Sequence, residues 1–151
     1  MGRAVTSWLS GAKAAAVLGA VSACDSSRIT ASKVEGALAP TFANLISLES
    51  KMMDLPPVDA AAFRASATCH RVSPGNPARG AGTWQCEVVW FLPGRRGSLH
   101  DGYELSVTTD GCYTATVDGA EGHLGGPTIT TRSGETLVNL LYAFDGCFDT
   151  T

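Results

Sequence analysis

The chain has 151 residues, 11 basic and 14 acidic side chains, and 44% hydrophobic residues. That length suits one domain with a single core and gives no support for two. An acidic balance with no basic run excludes a nucleic-acid surface, and it offers no pull toward anionic lipid, so membrane attachment would need a specific anchor.

Residues 1–23 read as a signal peptide. Met1 to Lys13 forms a basic n-region carrying Arg3 and Lys13, and Ala14 to Val21 is a short apolar run. Eight helical residues span about 12 Å, far short of a hydrocarbon core of about 30 Å, so a cleaved leader fits better than a membrane span. Val21-Ser22-Ala23-Cys24 then resembles the lipobox of bacterial lipoproteins: an aliphatic residue, two small residues and a cysteine. The resemblance implies that the Cys24 thiol carries a diacylglyceryl group, with palmitate among its chains, and that cleavage falls just before it. Ala20-Val21-Ser22 could instead serve as an ordinary secretory site. Residues 24–29 become a lipidated polar tether, and residues 30–151 a single disulfide-crosslinked domain. The leader takes two bases and no acid, so the mature charge is more negative than that of the whole chain.

Five cysteines is an odd number for an exported protein. With Cys24 assigned to lipid, Cys69, Cys86, Cys112 and Cys147 form an even set, which reads as two disulfides in an oxidising compartment. Three connectivities are open, and sequence alone does not choose. Sequential pairing, Cys69–Cys86 and Cys112–Cys147, is preferred because each pair falls in one compact antiparallel section. Zinc is disfavoured: no Cys-x-x-Cys occurs and the thiols are widely spread.

A helix follows the tether. Ser32-Lys33-Val34-Glu35 fits a capping box. Val34, Leu38, Phe42, Leu45, Leu48 and Met52 then recur at steps of three or four, which predicts one apolar face against a sheet. Pro40 within this pattern should kink the helix or split it into two. Asp54-Leu55-Pro56-Pro57 ends it.

From Phe63 onward the pattern is that of strands. Phe63, Ala65, Ala67 and Cys69 alternate, as do Trp84, Cys86, Val88, Trp90 and Leu92, with loops at Val72 to Gly80 and Pro93 to Gly97. Tyr103 to Thr109 and Cys112 to Val117 flank Asp110-Gly111, a strong hairpin signal. A two-residue loop would put Cys112 on the face of Tyr103, Leu105 and Val107. A three-residue loop would put Tyr113, Ala115 and Val117 there instead, and the register stays open. Val117 to Gly126 is a loop, and Thr128 to Thr131 with Thr136 to Tyr142 forms a second hairpin. Phe144 to Asp149 reads as a turn pinned by Cys147. The predicted class is α+β: an N-terminal helix packed on an antiparallel sheet of about five or six strands.

The lipobox, the helix near Val34-Glu35, Thr83-Trp84-Gln85-Cys86, Asp110-Gly111-Cys112-Tyr113-Thr114-Ala115 and Phe144-Asp145-Gly146-Cys147-Phe148-Asp149 together resemble small actinobacterial, mycobacterial-type secreted lipoproteins of unknown function. The resemblance implies a helix-on-sheet domain outside the cytoplasmic membrane. It brings no catalytic residues.

Chemistry is sparse in the sequence. His70, His100 and His123 all lie beside loop signals, and His100-Asp101, as strand neighbours, should point to opposite faces. Cys69 beside His70 and Arg71 is the best nucleophile candidate, but a disulfide is the stronger expectation there. The Asp-Gly steps lack calcium-loop spacing, and no phosphate loop, nucleophile elbow or His-Glu-x-x-His occurs. No catalytic residue, metal ligand or cofactor site is assigned. The expected function is a non-enzymatic binding or accessory module of the cell envelope. It would sit on the outer face of the cytoplasmic membrane through Cys24 and engage an envelope protein or ligand. The alternative is a small envelope hydrolase whose residues only the fold would assemble.

Overall fold

The computed structural model describes residues 28–119 and 123–151. The leader, the lipobox and Cys24 lie outside the described residues, as does part of the 117–126 loop. The domain is α+β: one helix, α1 (Ala31–Met52), covers a five-stranded antiparallel sheet. Strands β1 (Ser66–Arg71), β2 (Gly82–Trp90), β3 (Leu99–Val107) and β4 (Cys112–Val117) form a meander. The last strand, β7 (Ala143–Cys147), returns to pair with β4, so the sheet order is β1-β2-β3-β4-β7. A separate ribbon, β5 (Thr128–Thr130) with β6 (Thr136–Val138), lies in the connection from β4 to β7.

The helix starts earlier than the capping box predicts. Ile29, assigned by sequence to the tether, is fully buried, and its carbonyl accepts from the Gly80 amide at 3.0 Å. Thr30 is thereby held extended in an isolated bridge to Arg79, and it, not Ser32, caps the helix by accepting from the Lys33 amide. Glu35 does not close a box. Its carboxylate accepts from the Cys69 amide at 2.9 Å and so ties α1 to β1.

Pro40 does not split the helix, which runs as a single element through it. Pro40 and Gly36, whose carbonyl loses its helical donor, are both on the exposed side, where water can satisfy that carbonyl. The buried face is Val34, Leu38, Phe42, Ile46 and then Glu49. Leu48, expected inward, is 48% exposed.

Phe63 is not in the first strand. It closes a 3₁₀ turn, Ala60–Phe63, capped by the Asp59 carboxylate, and plugs the core edge-on against Trp90. Arg64 follows at φ 47°, and its guanidinium lies over the Phe91 ring.

The hairpin register resolves in favour of the three-residue loop. Val107 pairs with Tyr113, Gly111 takes φ 86°, and the Thr108 amide donates to the Cys112 carbonyl. Tyr103, Leu105 and Val107 therefore share the inner face with Tyr113 and Ala115, and Cys112 turns outward. This is the register that sorts apolar from polar. The tail is also corrected: Phe144 to Cys147 belongs to a strand rather than a turn. Gly146 pairs with Tyr113 in the β4–β7 ladder, and only glycine fits there because the Tyr113 phenol lies where a Cβ would be.

Both disulfides join directly opposed residues of neighbouring strands. Cys69 faces Cys86 across β1 and β2, with Cα atoms 4.1 Å apart. Cys112 faces Cys147 across β4 and β7, at 3.9 Å. The first lies buried beneath α1, whereas the second is on the open face with Cys147 exposed.

Candidate functional site

The inner face of the sheet is apolar along most of its length, with Phe42 packed edge-on against both Trp90 and Tyr103. At the C-terminal end of α1 its character changes. Two carboxylates, Glu49 from the helix and Asp101 from β3, are buried there, beside a fully buried Asn139. Above them opens a cleft of about 260 Å³. Its walls are Ile46 of α1, Met53 at the helix C-cap, Leu124 of the covering loop, Ile129 of β5, and Leu141; Glu49, Ser50, Trp90 and His123 supply its polar edges.

The buried polar groups of this region have defined partners. Glu49 accepts from the Leu140 amide at 3.0 Å. Burial holds its carboxyl above the ordinary range, and the amide hydrogen bonds from Leu140 and Leu141 offset part of that effect. Asp101 accepts from the Trp90 indole N–H at 2.7 Å and from the His123 amide at 2.9 Å. The His123 ring stands 3.7 Å from the same carboxylate. The Tyr103 hydroxyl donates to the Leu141 carbonyl at 2.7 Å. Its pKa is pushed far up, first by burial and then by the charges of Asp101 and Glu49. Asn139 holds the wall together: its amide donates to the carbonyls of Leu124 and Gly126, and its oxygen accepts from the Leu141 amide.

The open face of the sheet carries different chemistry. His100 and Asp101 point to opposite faces, with Asp101 inward and His100 out. His100 lies in a chain with two partners: Nδ1 is 2.9 Å from Glu87 and Nε2 is 3.1 Å from the Ser98 hydroxyl. The order Ser–His–Glu, with the carboxylate on Nδ1, matches the arrangement by which a serine is activated as a nucleophile. The His100 and Glu87 side chains are, however, 51% and 59% exposed, so water competes for every bond in the chain. His70 is elsewhere on this face. It borders a shallow depression of about 290 Å³ with Thr68, Gln85, Glu87 and Asp118. The His123 ring Nδ1 lies 3.3 Å from the His100 carbonyl, and His70 shares only Glu87 with His100 as a neighbour, so the three imidazoles do not form one cluster among the described residues. Cys69 is in a disulfide rather than free beside His70 and Arg71, and Arg71 is spent on the carbonyls of Ala81 and Pro74.

Sequence reading missed the cleft. The usable signal is Glu49: it stands three residues after Ile46 on the helical face that includes Val34, Leu38 and Phe42. A charged residue in register with a core stripe marks a buried acid. Asp101 gives a similar signal, falling on the inward parity of Leu99, Tyr103 and Leu105 in β3. Comparison of the chain with protein-family models, curated proteins and solved structures finds no match.

Proposed function

We propose that this chain is a lipid-anchored extracytoplasmic protein, a non-enzymatic binding or accessory module of the cell envelope that resembles small actinobacterial lipoproteins of unknown function. The observation that carries the anchoring half is the cysteine pairing. Cys69–Cys86 and Cys112–Cys147 consume four of the five cysteines, which leaves Cys24 of the lipobox without an intrachain partner. A diacylglyceryl group supplies two chains, enough for stable attachment where one is marginal. The binding half is supported by the cleft at the end of α1, an apolar hollow with a few convergent polar groups, the usual make-up of a ligand site.

The test is metabolic labelling with an alkyne palmitate in a host that processes lipoproteins. The native chain should be labelled and sediment with membranes. Cys24→Ser should lose the label and appear as precursor or soluble domain. Unchanged labelling of that variant refutes the anchor.

The Ser98–His100–Glu87 chain favours a second reading, a small hydrolase. A fluorophosphonate probe decides between them. Covalent labelling at Ser98 that disappears in His100→Ala supports the hydrolase, and an unlabelled Ser98 supports the binding module.

A further inference from the structure

We infer that the cleft at the C-terminal end of α1 binds a small organic ammonium ion with an apolar body, with the Glu49 carboxylate as its counter-ion and the Trp90 indole against its body. The inference rests on the binding-module reading and names the ligand class of that site.

The argument begins with charge. An ionised carboxylate in a low-dielectric interior is costly unless a cation pairs with it or it takes up a proton, so a cation entering the cleft would find in Glu49 a favourable counter-ion. Glu49 is 9% exposed and makes no ion pair among the described residues. Amide N–H groups are its only partners there. The groups facing it from the surrounding elements do not change this. From α1, Lys51 is exposed, and residues two apart on a helix do not share a face. From β3 come Asp101, a second acid, and Tyr103, whose hydroxyl is committed to the Leu141 carbonyl. From the covering loop comes His123, whose amide and ring both lie against Asp101. Among the described residues, the cleft therefore presents an acid without a resident cation.

The lining then selects the kind of cation. A metal ion would need further oxygen or nitrogen donors, and no group of three or more His, Cys, Asp or Glu side chains able to hold one exists among the described residues. The walls are instead Ile46, Met53, Leu124, Ile129 and Leu141, with an indole at one side. Such walls suit a hydrocarbon body, and the Trp90 indole adds apolar surface to them. The volume, about 260 Å³, lies just under the range of drug-sized sites, so the ligand is small.

The experiment titrates the full-length chain in detergent micelles and follows the Trp90 indole N–H by NMR. Three probes share one hydrocarbon tail: n-hexylammonium, hexan-1-ol and hexanoate. Hexylammonium should shift Trp90 saturably and bind roughly tenfold or more tightly than hexanol, as a charge-assisted contact predicts. Hexanoate should not bind. Glu49→Gln retains a carbonyl for the Leu140 amide and should reduce hexylammonium to the affinity of hexanol, with hexanol itself unchanged. Ile129→Trp, which fills the cleft from its rim, should abolish binding of both and guards against misreading a misfolded Glu49 variant. Equal binding of hexylammonium and hexanol, or an undiminished preference in Glu49→Gln, overturns the ammonium assignment while leaving a binding module. A Trp90 signal unmoved by every probe overturns the site itself. Neither result touches Cys24 labelling, so failure here and failure of the anchor are separable.

Discussion

Single residues in the interior set the sharpest expectations. Glu49 is the first. Burial raises its pKa in the folded chain above that of the unfolded chain, so the folded state binds the proton more tightly. Its contribution to stability is therefore fullest at acid pH, below the unfolded carboxyl pKa. It is lost as pH rises through the folded value. Urea unfolding at several pH values from 4 to 8 should show this fall in the native chain and a flatter profile in Glu49→Gln. Parallel profiles would remove Glu49 as the source. Asn139 is the second. Its three side-chain hydrogen bonds hold the wall of the cleft. Asn139→Ala strands two carbonyls and an amide in a buried place and should cost about 3 kcal/mol in unfolding free energy, given about 1–3 kcal/mol per stranded buried group with partial relaxation. A loss below about 1 kcal/mol would mean that water takes over these bonds.

At the scale of elements, α1 and the disulfides are the informative cases. Pro40 removes a helical hydrogen bond but keeps the damage on the solvent side, beside exposed Gly36. Pro40→Ala should therefore stabilise the domain, by roughly 1–3 kcal/mol from propensity and the restored bond. Destabilisation in the same urea assay would mean that α1 depends on Pro40 for its path over the sheet. The two disulfides differ in access. Cys69–Cys86 is covered by α1, whereas Cys112–Cys147 borders a shallow hollow on the open face, with Cys147 exposed. Brief treatment of the folded chain with a soluble thiol should reduce Cys112–Cys147 first, read by alkylation and peptide mapping. Labelling of Cys69 and Cys86 at the same rate would show that α1 opens readily. Removing a bridge should cost about 3 kcal/mol for the 17-position closure and about 4 kcal/mol for the 35-position closure by loop entropy.

For the whole molecule, the domain has two layers, with α1 on one face of the sheet and the other face open and polar. The pairing of β2 with β3 runs over nine residues at the centre, while the β5–β6 ribbon pairs over three and stands outside the main sheet. Amide exchange should be slowest in β2 and β3 and fastest in β5 and β6, because short exposed ladders open at little cost. Uniform exchange across both sheets would contradict that ranking. Local periodicity was sufficient for the class, the helix and most strands, because a period of 3.6 or 2 is written along one segment. The same compact sections favour pairing Cys69 with Cys86 and Cys112 with Cys147, and the strand register sets both pairs opposite one another. Decisions that needed a distant partner were not legible. Thr30 became the cap because Arg79 holds it. The hairpin loop took three residues because the face under α1 had to be apolar. Asp145-Gly146 is extended because β4 pairs with it, Thr114 with Asp145 and Tyr113 with Gly146. The cleft belongs wholly to this second kind: Glu49, Asp101, His123 and Leu140 come from four separate stretches of chain. Their burial and hydrogen bonds arise only when helix, sheet and covering loop close on one another, and a buried carboxylate acquires its altered chemistry from that enclosure rather than from its neighbours in sequence.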